Sequence, residues 1–187
     1  MTDPYAEAKR AAARQAVDRV ESGMRLGLGT GSTFRHALER LAERIRDEGI
    51  ECVGVPTSEA TAAHARQLGV PLTTRDEVEH LDLAIDGADE VDPHLNLVKG
   101  GGGALLREKI VAAASREVTI IVSDNKMVDH LGTTFRLPVE VLKFGWRQAS
   151  ERMRALGLDP IRRGADDGGP FDTDSGNFIL DCGSKAI

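Results

Sequence analysis

Short apolar runs alternate with helical periodicities over roughly the first 130 residues of this chain, and that alternation limits what it can fold into. Met24–Leu28, Cys52–Val55, Val70–Thr73, Leu81–Ile85 and Val118–Val122 read as strands, the last as the most clearly buried and the third as the weakest. Between them lie helical stretches. Ala6–Val20 is alanine-rich, and Phe34, Ala37, Leu38, Leu41, Ala42 and Ile45 recur with a period near 3.6. Ser58 reads as the N-cap of a helix that ends at Gly69, and 104–115 reads as a further helix. Strands joined by helices imply crossovers and a mostly parallel sheet. The expected fold is α/β, Rossmann-like, with helices on both faces of the sheet. Past residue 130 the rhythm changes. Leu137–Leu142 is strand-like, Trp146–Leu156 helical, and Pro160–Arg163 and Phe178–Asp181 are strand-like around a turn-rich stretch. The expected domains are 1–130, the catalytic domain, and 131–187, a small α+β unit.

In a parallel sheet every strand ends on the same edge, and ligands of open α/β folds bind there. Three motifs follow strands directly: Gly29-Thr30-Gly31-Ser32-Thr33, Asp86-Gly87-Ala88-Asp89 and Ser123-Asp124-Asn125-Lys126. The pattern alone therefore brings them to one edge. The first motif lacks the spacing of the dinucleotide and P-loop fingerprints. Its glycines and hydroxyls at a helix start suit a phosphate, with Ser32 or Thr33 able to cap the helix. Asp86–Asp92 carries four carboxylates in seven residues. That suits a solvated loop, a hard cation or a polar ligand, and its place beside an apolar strand favours function.

Lys99 precedes four consecutive glycines, Gly100–Gly103, and a helix carrying Glu108 follows. Bare amides admit a ligand closely. A cation, amides and a carboxylate within ten residues suggest acid–base chemistry on an anionic small molecule. Periodicity alone puts Glu108 opposite the apolar face Leu106, Ile110, Ala113 and Ala114, on a solvated face. Its nearness to the glycine run is what raises it.

Other classes lack support. The net charge is −6 and aromatics make up 4%, which offers nucleic acid neither a basic surface nor a stacking platform. The start reads as no signal peptide, and no apolar run is long enough to span a membrane. The five histidines form no paired metal motif, the two cysteines have no metal spacing, and no Gly-x-Ser-x-Gly elbow is present. A reducing cytoplasm is the default for such a chain.

From Tyr5 to Cys182 the chain resembles the type A ribose-5-phosphate isomerases. The likeness rests on Gly27–Thr33, Asp86–Asp92, Lys99–Lys109, Ser123–Lys126, and in the second unit Leu137–Val141 and Asp174–Asp181. The resemblance implies interconversion of D-ribose 5-phosphate and D-ribulose 5-phosphate, without metal or cofactor, by a cytoplasmic homo-oligomer, a dimer. It makes Glu108 the base that moves a proton between C2 and C1, and Lys99 the cation that stabilises the enediolate. It makes Asp86 and Asp89 catalytic partners that bind sugar hydroxyls and assist ring opening. Thr30, Gly31, Ser32, Thr33, Gly87, Ala88, Gly100, Gly101, Gly102 and Lys126 would bind substrate, with Lys9 a weaker candidate. A sugar-phosphate sensor, a sugar-phosphate deaminase and a CoA transferase share parts of this pattern; Lys99 with Glu108 favours an enzyme over the sensor, and the Asp86–Asp92 loop paired with Lys99–Glu108 favours the isomerase over the other two. Members of that family continue past the strand near Cys182, so the small domain is expected to be C-terminally truncated and to leave an open sheet edge.

Overall fold

The computed structural model describes residues 3–183, and the expected alternation is present in it. The expected C-terminal ending at 184–187 lies outside the described residues. The chain forms two units: residues up to Gly87 together with Arg107–Asp124, and Ala88–Leu106 together with residues from Asn125 onward. It therefore passes between units three times, after Gly87, Leu106 and Asp124. The sequence-based division at residue 130 follows chain order and differs from this spatial one over 88–106 and 125–130.

The first unit holds a four-stranded parallel sheet in the order β2 (Val53–Pro56), β1 (Arg25–Leu28), β3 (Leu81–Asp86), β6 (Ser115–Ile120). On one face Leu26, Leu28, Leu83 and Ile85 pack with α1 (Ala6–Val17) and α2 (Ser32–Glu43). Phe34, Ala37, Leu38, Leu41 and Ala42 of α2 are all buried, as their spacing predicts. α1 stops at Val17, short of the expected Val20. Arg44 donates to the carbonyls of Val17 at 2.7 Å and Val20 at 2.9 Å, which satisfies the helix end. α3 (Glu59–Leu68) has the expected ends: Ser58 Oγ accepts from Thr61 N, and Gly69 closes the helix at φ 74°.

Two expected strands differ. Val70–Thr73 forms a single parallel bridge between Leu72 and Gly54, since Pro71 has no N–H to give a ladder. The last strand of the sheet starts at Ser115, three residues before the expected Val118. Among the described residues it is an edge strand paired only with β3, and Val118 is 40% exposed. Within 118–122 the expected full burial is met at Ile121 alone, just beyond the strand end.

The opposite sheet face is built around α4 (Leu105–Ala113), where Val111 packs against Val55 and Ala84. A Cβ on Gly27 would lie 2.5 Å from Val111 Cγ1 and 2.8 Å from Ala84 Cβ, so β1 needs glycine there.

In the second unit an antiparallel sheet runs in the order β7 (Leu137–Val141), β9 (Phe178–Gly183), β8 (Asp159–Arg162). Phe178, Ile179, Leu180 and Cys182 of the central strand are buried. α5 (Trp146–Ala155) docks through Trp146, edge-on to Phe178 at 6.2 Å, with Arg162 stacked 4.8 Å over the indole. A short hairpin of β4 (Glu90–Val91) and β5 (Leu97–Val98) belongs to the same unit. Among the described residues no helix is long and apolar enough to cross a membrane, and Cys52 and Cys182 are free thiols.

The glycine in β1 makes a direct prediction. Gly27→Ala forces a methyl into Val111 and Ala84, and should cost about 1–3 kcal/mol of overpacking strain. Urea unfolding measures it, and an unchanged midpoint would show that α4 is not held by this close approach.

Candidate active site

In the first unit, β1, β2 and β3 deliver Gly29–Thr33, Thr57–Ser58 and Asp86–Gly87 to the edge where the parallel strands end. Asp86 is buried, and its Oδ1 accepts from Thr30 N at 3.1 Å and Gly87 N at 2.8 Å. It thus ties the loop after β1 to the loop after β3. Thr30 Oγ1 sits in a cluster of hydroxyls, 2.8 Å from Thr57 Oγ1, 2.9 Å from Ser58 Oγ and 3.2 Å from Thr61 Oγ1. Thr57 and Thr61 in turn donate to the carbonyls of Leu28 and Gly29. The loop is held from beneath by these bonds.

α2 starts just after this loop. Gly31 occupies its N-cap with φ 113°, and no side chain caps the helix. The expected capping by Ser32 or Thr33 does not occur, because both residues already lie within the first turn. Ser32 Oγ instead accepts from Lys9 Nζ at 2.9 Å, and Lys9 also pairs with Asp3 at 2.8 Å. A helix start with an ammonium beside it favours an anion. Thr30, Gly31, Ser32, Thr33, Asp86, Gly87 and Lys9 are thus brought to one region.

Glu108 belongs to the same unit. It is 6% exposed, whereas Leu106 is 39% and Ile110 47% exposed. The helix therefore turns the face expected to be solvated inward, and the face expected to be apolar outward. Seating Val111 against Gly27 and Ala84 decides this rotation, since residues three apart share a helix face.

The second unit holds Ala88, Asp89, Lys99, Gly100, Gly101, Gly102 and Lys126. Asp89 N donates to Val98 O at 2.8 Å, and Asp89 Oδ2 accepts from Gly101 N at 2.7 Å. A Cβ at Gly101 would fall 2.5 Å from Asp89 Oδ1 and 2.6 Å from Phe135, so the backbone must be bare. On this loop Arg163 donates to the carbonyls of Gly100 at 3.2 Å and Gly101 at 2.9 Å. Lys99 and Lys126 are half-buried, Lys126 in a short 3₁₀ turn, Asp124–Lys126.

The acidic run resolves into separate tasks. Glu90 is fully buried and accepts from Gly132 N, Thr134 N, Thr134 Oγ1 and Phe135 N. Burial is the largest influence and pushes its carboxyl up, but the four donors together outweigh it and hold it below its ordinary value. Asp92 accepts from Asn96 Nδ2, Asn96 N and His94 N in the hairpin turn, and these donors lower its carboxyl despite burial. Among the described residues, no three His, Cys, Asp or Glu side chains group as metal ligands.

Sequence reasoning gave no role to Thr57, Thr61, Glu90, Arg163 or Asp181. The strand-end rule that singled out Gly29 and Asp86 also covers Thr57, which directly follows β2. Arg163 and Asp181 carry no local signal, because their pairing arises between adjacent strands.

A family model described as ribose 5-phosphate isomerase A (phosphoriboisomerase A) matches residues 53–187. A ribose-5-phosphate isomerase A from Synechococcus sp. (strain JA-3-3Ab) is 53% identical over 177 residues, covering 94% of this chain and 77% of its own. The solved structure of ribose 5-phosphate isomerase A from Methanocaldococcus jannaschii is similar with a TM-score of 0.93 at 39% identity, covering 96% of this chain and 80% of that one. A D-ribose-5-phosphate isomerase in complex with phospho-erythronic acid gives 0.93 at 38% identity, with 97% and 80% covered.

Glu90 yields a pH prediction. Its depressed carboxyl contributes stability above the ordinary glutamate range, and the contribution is lost as pH falls through the depressed value. Glu90→Gln should cost about 1–3 kcal/mol at neutral pH. The gap from wild type should close in acid. Denaturant unfolding from pH 7 down to pH about 3 measures this, and a gap independent of pH would refute it.

Proposed function

The chain belongs to the ribose 5-phosphate isomerase A family, and from that premise we propose that it interconverts D-ribose 5-phosphate and D-ribulose 5-phosphate through an enediolate. The observation that carries the chemical reading is Glu108, a carboxylate on the buried face of α4.

The C2 proton of an open-chain aldose is acidified only by the adjacent carbonyl. Its removal needs a placed base and a charge to meet the oxygen that becomes negative. In this reading the Glu108 carboxylate takes the proton from C2. The electron pair moves to form the C1–C2 double bond, and the former carbonyl oxygen carries the charge, met by the Lys99 ammonium. The proton on O2 then passes to O1, which leaves the charge on O2; as that charge collapses to the C2 carbonyl, the C1–C2 pair takes back the proton from Glu108 at C1. Asp86 and Asp89 accept sugar hydroxyls and assist ring opening from positions fixed by their backbone bonds to Thr30, Gly87 and Gly101. The uncapped start of α2, with Thr30–Thr33 and Lys9, supports phosphate binding, and Lys126 adds positive charge. The second solved structure supports the anionic-intermediate reading, since phospho-erythronic acid presents a carboxylate beside a phosphorylated polyol. The reading extends to a cytoplasmic homodimer acting in the non-oxidative pentose phosphate pathway. It requires no metal or cofactor, because carboxylate and ammonium supply both the base and the oxyanion charge.

Glu108→Gln keeps the side chain's size and removes its basicity. Turnover of ribose 5-phosphate should fall by about 10²–10⁴-fold, while phospho-erythronic acid still binds. Near-normal turnover would remove Glu108 from the chemistry. Exhaustive chelation should leave the wild-type rate unchanged, and loss of activity restored by magnesium or manganese would overturn the metal-free mechanism.

A further inference from the structure

The glycine loop is gripped from one side by an arginine that the mechanism above does not use. Arg163 follows β8, and its guanidinium divides its donors between two tasks. Nε and Nη2 bind the Asp181 carboxylate of β9, at 2.9 and 2.5 Å, in a side-on fork. Nη1 binds the carbonyls of Gly101 and Gly100 at 2.9 and 3.2 Å. The residue is itself anchored: its N–H donates to Ile179 O, its carbonyl accepts from Phe171 N, and its guanidinium lies 5.7 Å over the Phe171 ring. Its side chain is 16% exposed and that of Asp181 21%.

Peptide planarity turns this grip into a statement about amides. In a trans peptide the N–H points opposite to the C=O of the same unit, and no peptide here is cis. With the Gly100 carbonyl on Arg163, the Gly101 N–H must point away from it, and it does so, onto Asp89 at 2.7 Å. With the Gly101 carbonyl also on Arg163, the Gly102 N–H points away from the guanidinium as well. One side chain thus fixes two successive peptide planes next to Lys99.

We propose that Arg163, clamped by Asp181, is a positioning residue for isomerisation: it orients the Lys99–Gly102 loop so that the Gly102 amide and the Lys99 ammonium are set for the developing enediolate oxygen. The proposal rests on the isomerase reading. A lysine cannot replace it, because one ammonium cannot fork a carboxylate and hold two carbonyls at once. The groups assigned to the phosphate, Thr30–Thr33, Lys9 and Lys126, are not hydrogen-bond partners of the Arg163 side chain, so loss of the clamp should spare phosphate binding. The loss falls on an interaction made in the transition state, which lowers kcat more than it changes KM.

The test compares Arg163→Met, Arg163→Lys and Asp181→Asn with wild type. Arg163→Met should lower kcat by about 10–100-fold, as expected of a misplaced catalytic group, with KM within about threefold. Affinity for phospho-erythronic acid should fall along with kcat, and competition by inorganic phosphate should not change. Arg163→Lys should not recover the rate, and Asp181→Asn should show the same pattern at smaller size. Thermal unfolding gives the folded fraction of each. Should Arg163→Met be unfolded under assay conditions, Asp181→Asn carries the decision. Activity that falls only with folded fraction, at unchanged phospho-erythronic acid affinity, overturns the proposal. A wild-type chain unable to isomerise ribose 5-phosphate overturns the underlying function as well, whereas an active wild type with an equally active Arg163→Met overturns the clamp alone.

Discussion

The rotation of α4 about its own axis is set where Val111 meets the bare backbone of Gly27 and the small side chain of Ala84. A valine buried in this way contributes about 1.5–3 kcal/mol, and only one rotation of the helix makes that contact. Glu108, three residues earlier, is carried to the buried face with it. Glu108 is held on the buried face because the apolar contact beside it cannot be made any other way.

That coupling explains why the strongest misreading of the sequence fell on the most interesting residue. Leu106 and Ile110 outweigh Glu108 in any count of periodicity, yet both are exposed and Glu108 is not. The deciding partner, Gly27, lies more than eighty residues away in the chain, and nothing local reports it. The edge strand fails for a related reason. Val118 to Val122 is the most apolar run, but pairing with β3 begins at Ser115 and β6 has no second neighbour among the described residues. Where the determinants are local, the sequence is legible. Ser58 and Gly69 bound α3 because capping and left-handed termination are properties of single residues. The convergence of Gly29–Thr33 with Asp86 follows from strand direction alone, and the hydrogen bonds from Thr30 and Gly87 to one carboxylate oxygen bear it out.

The acidic segment shows how composition can mislead without being wrong. Four carboxylates so close together suggest a cation or a solvated loop, and the residue types alone cannot separate their tasks. Each of the four accepts backbone N–H groups: Asp86 from Thr30 and Gly87, Asp89 from Gly101, Glu90 from three residues of 132–135, and Asp92 within its own turn. Carboxylates in this role replace secondary structure. They satisfy amides in loops that have no ladder partner, and so hold irregular backbone in a fixed shape.

The three passages of the chain between its units fall after Gly87, Leu106 and Asp124, inside the three segments that carry the candidate chemistry. Asp86 and Asp89, Lys99 and Glu108, Asp124 and Lys126 each sit on opposite sides of such a passage. Both units are discontinuous in the gene as a result. No single contiguous exchange of coding sequence transfers either one whole, and the cuts that would separate them run through the motifs themselves. A single contiguous exchange therefore cannot shuffle the two halves of this fold as independent modules.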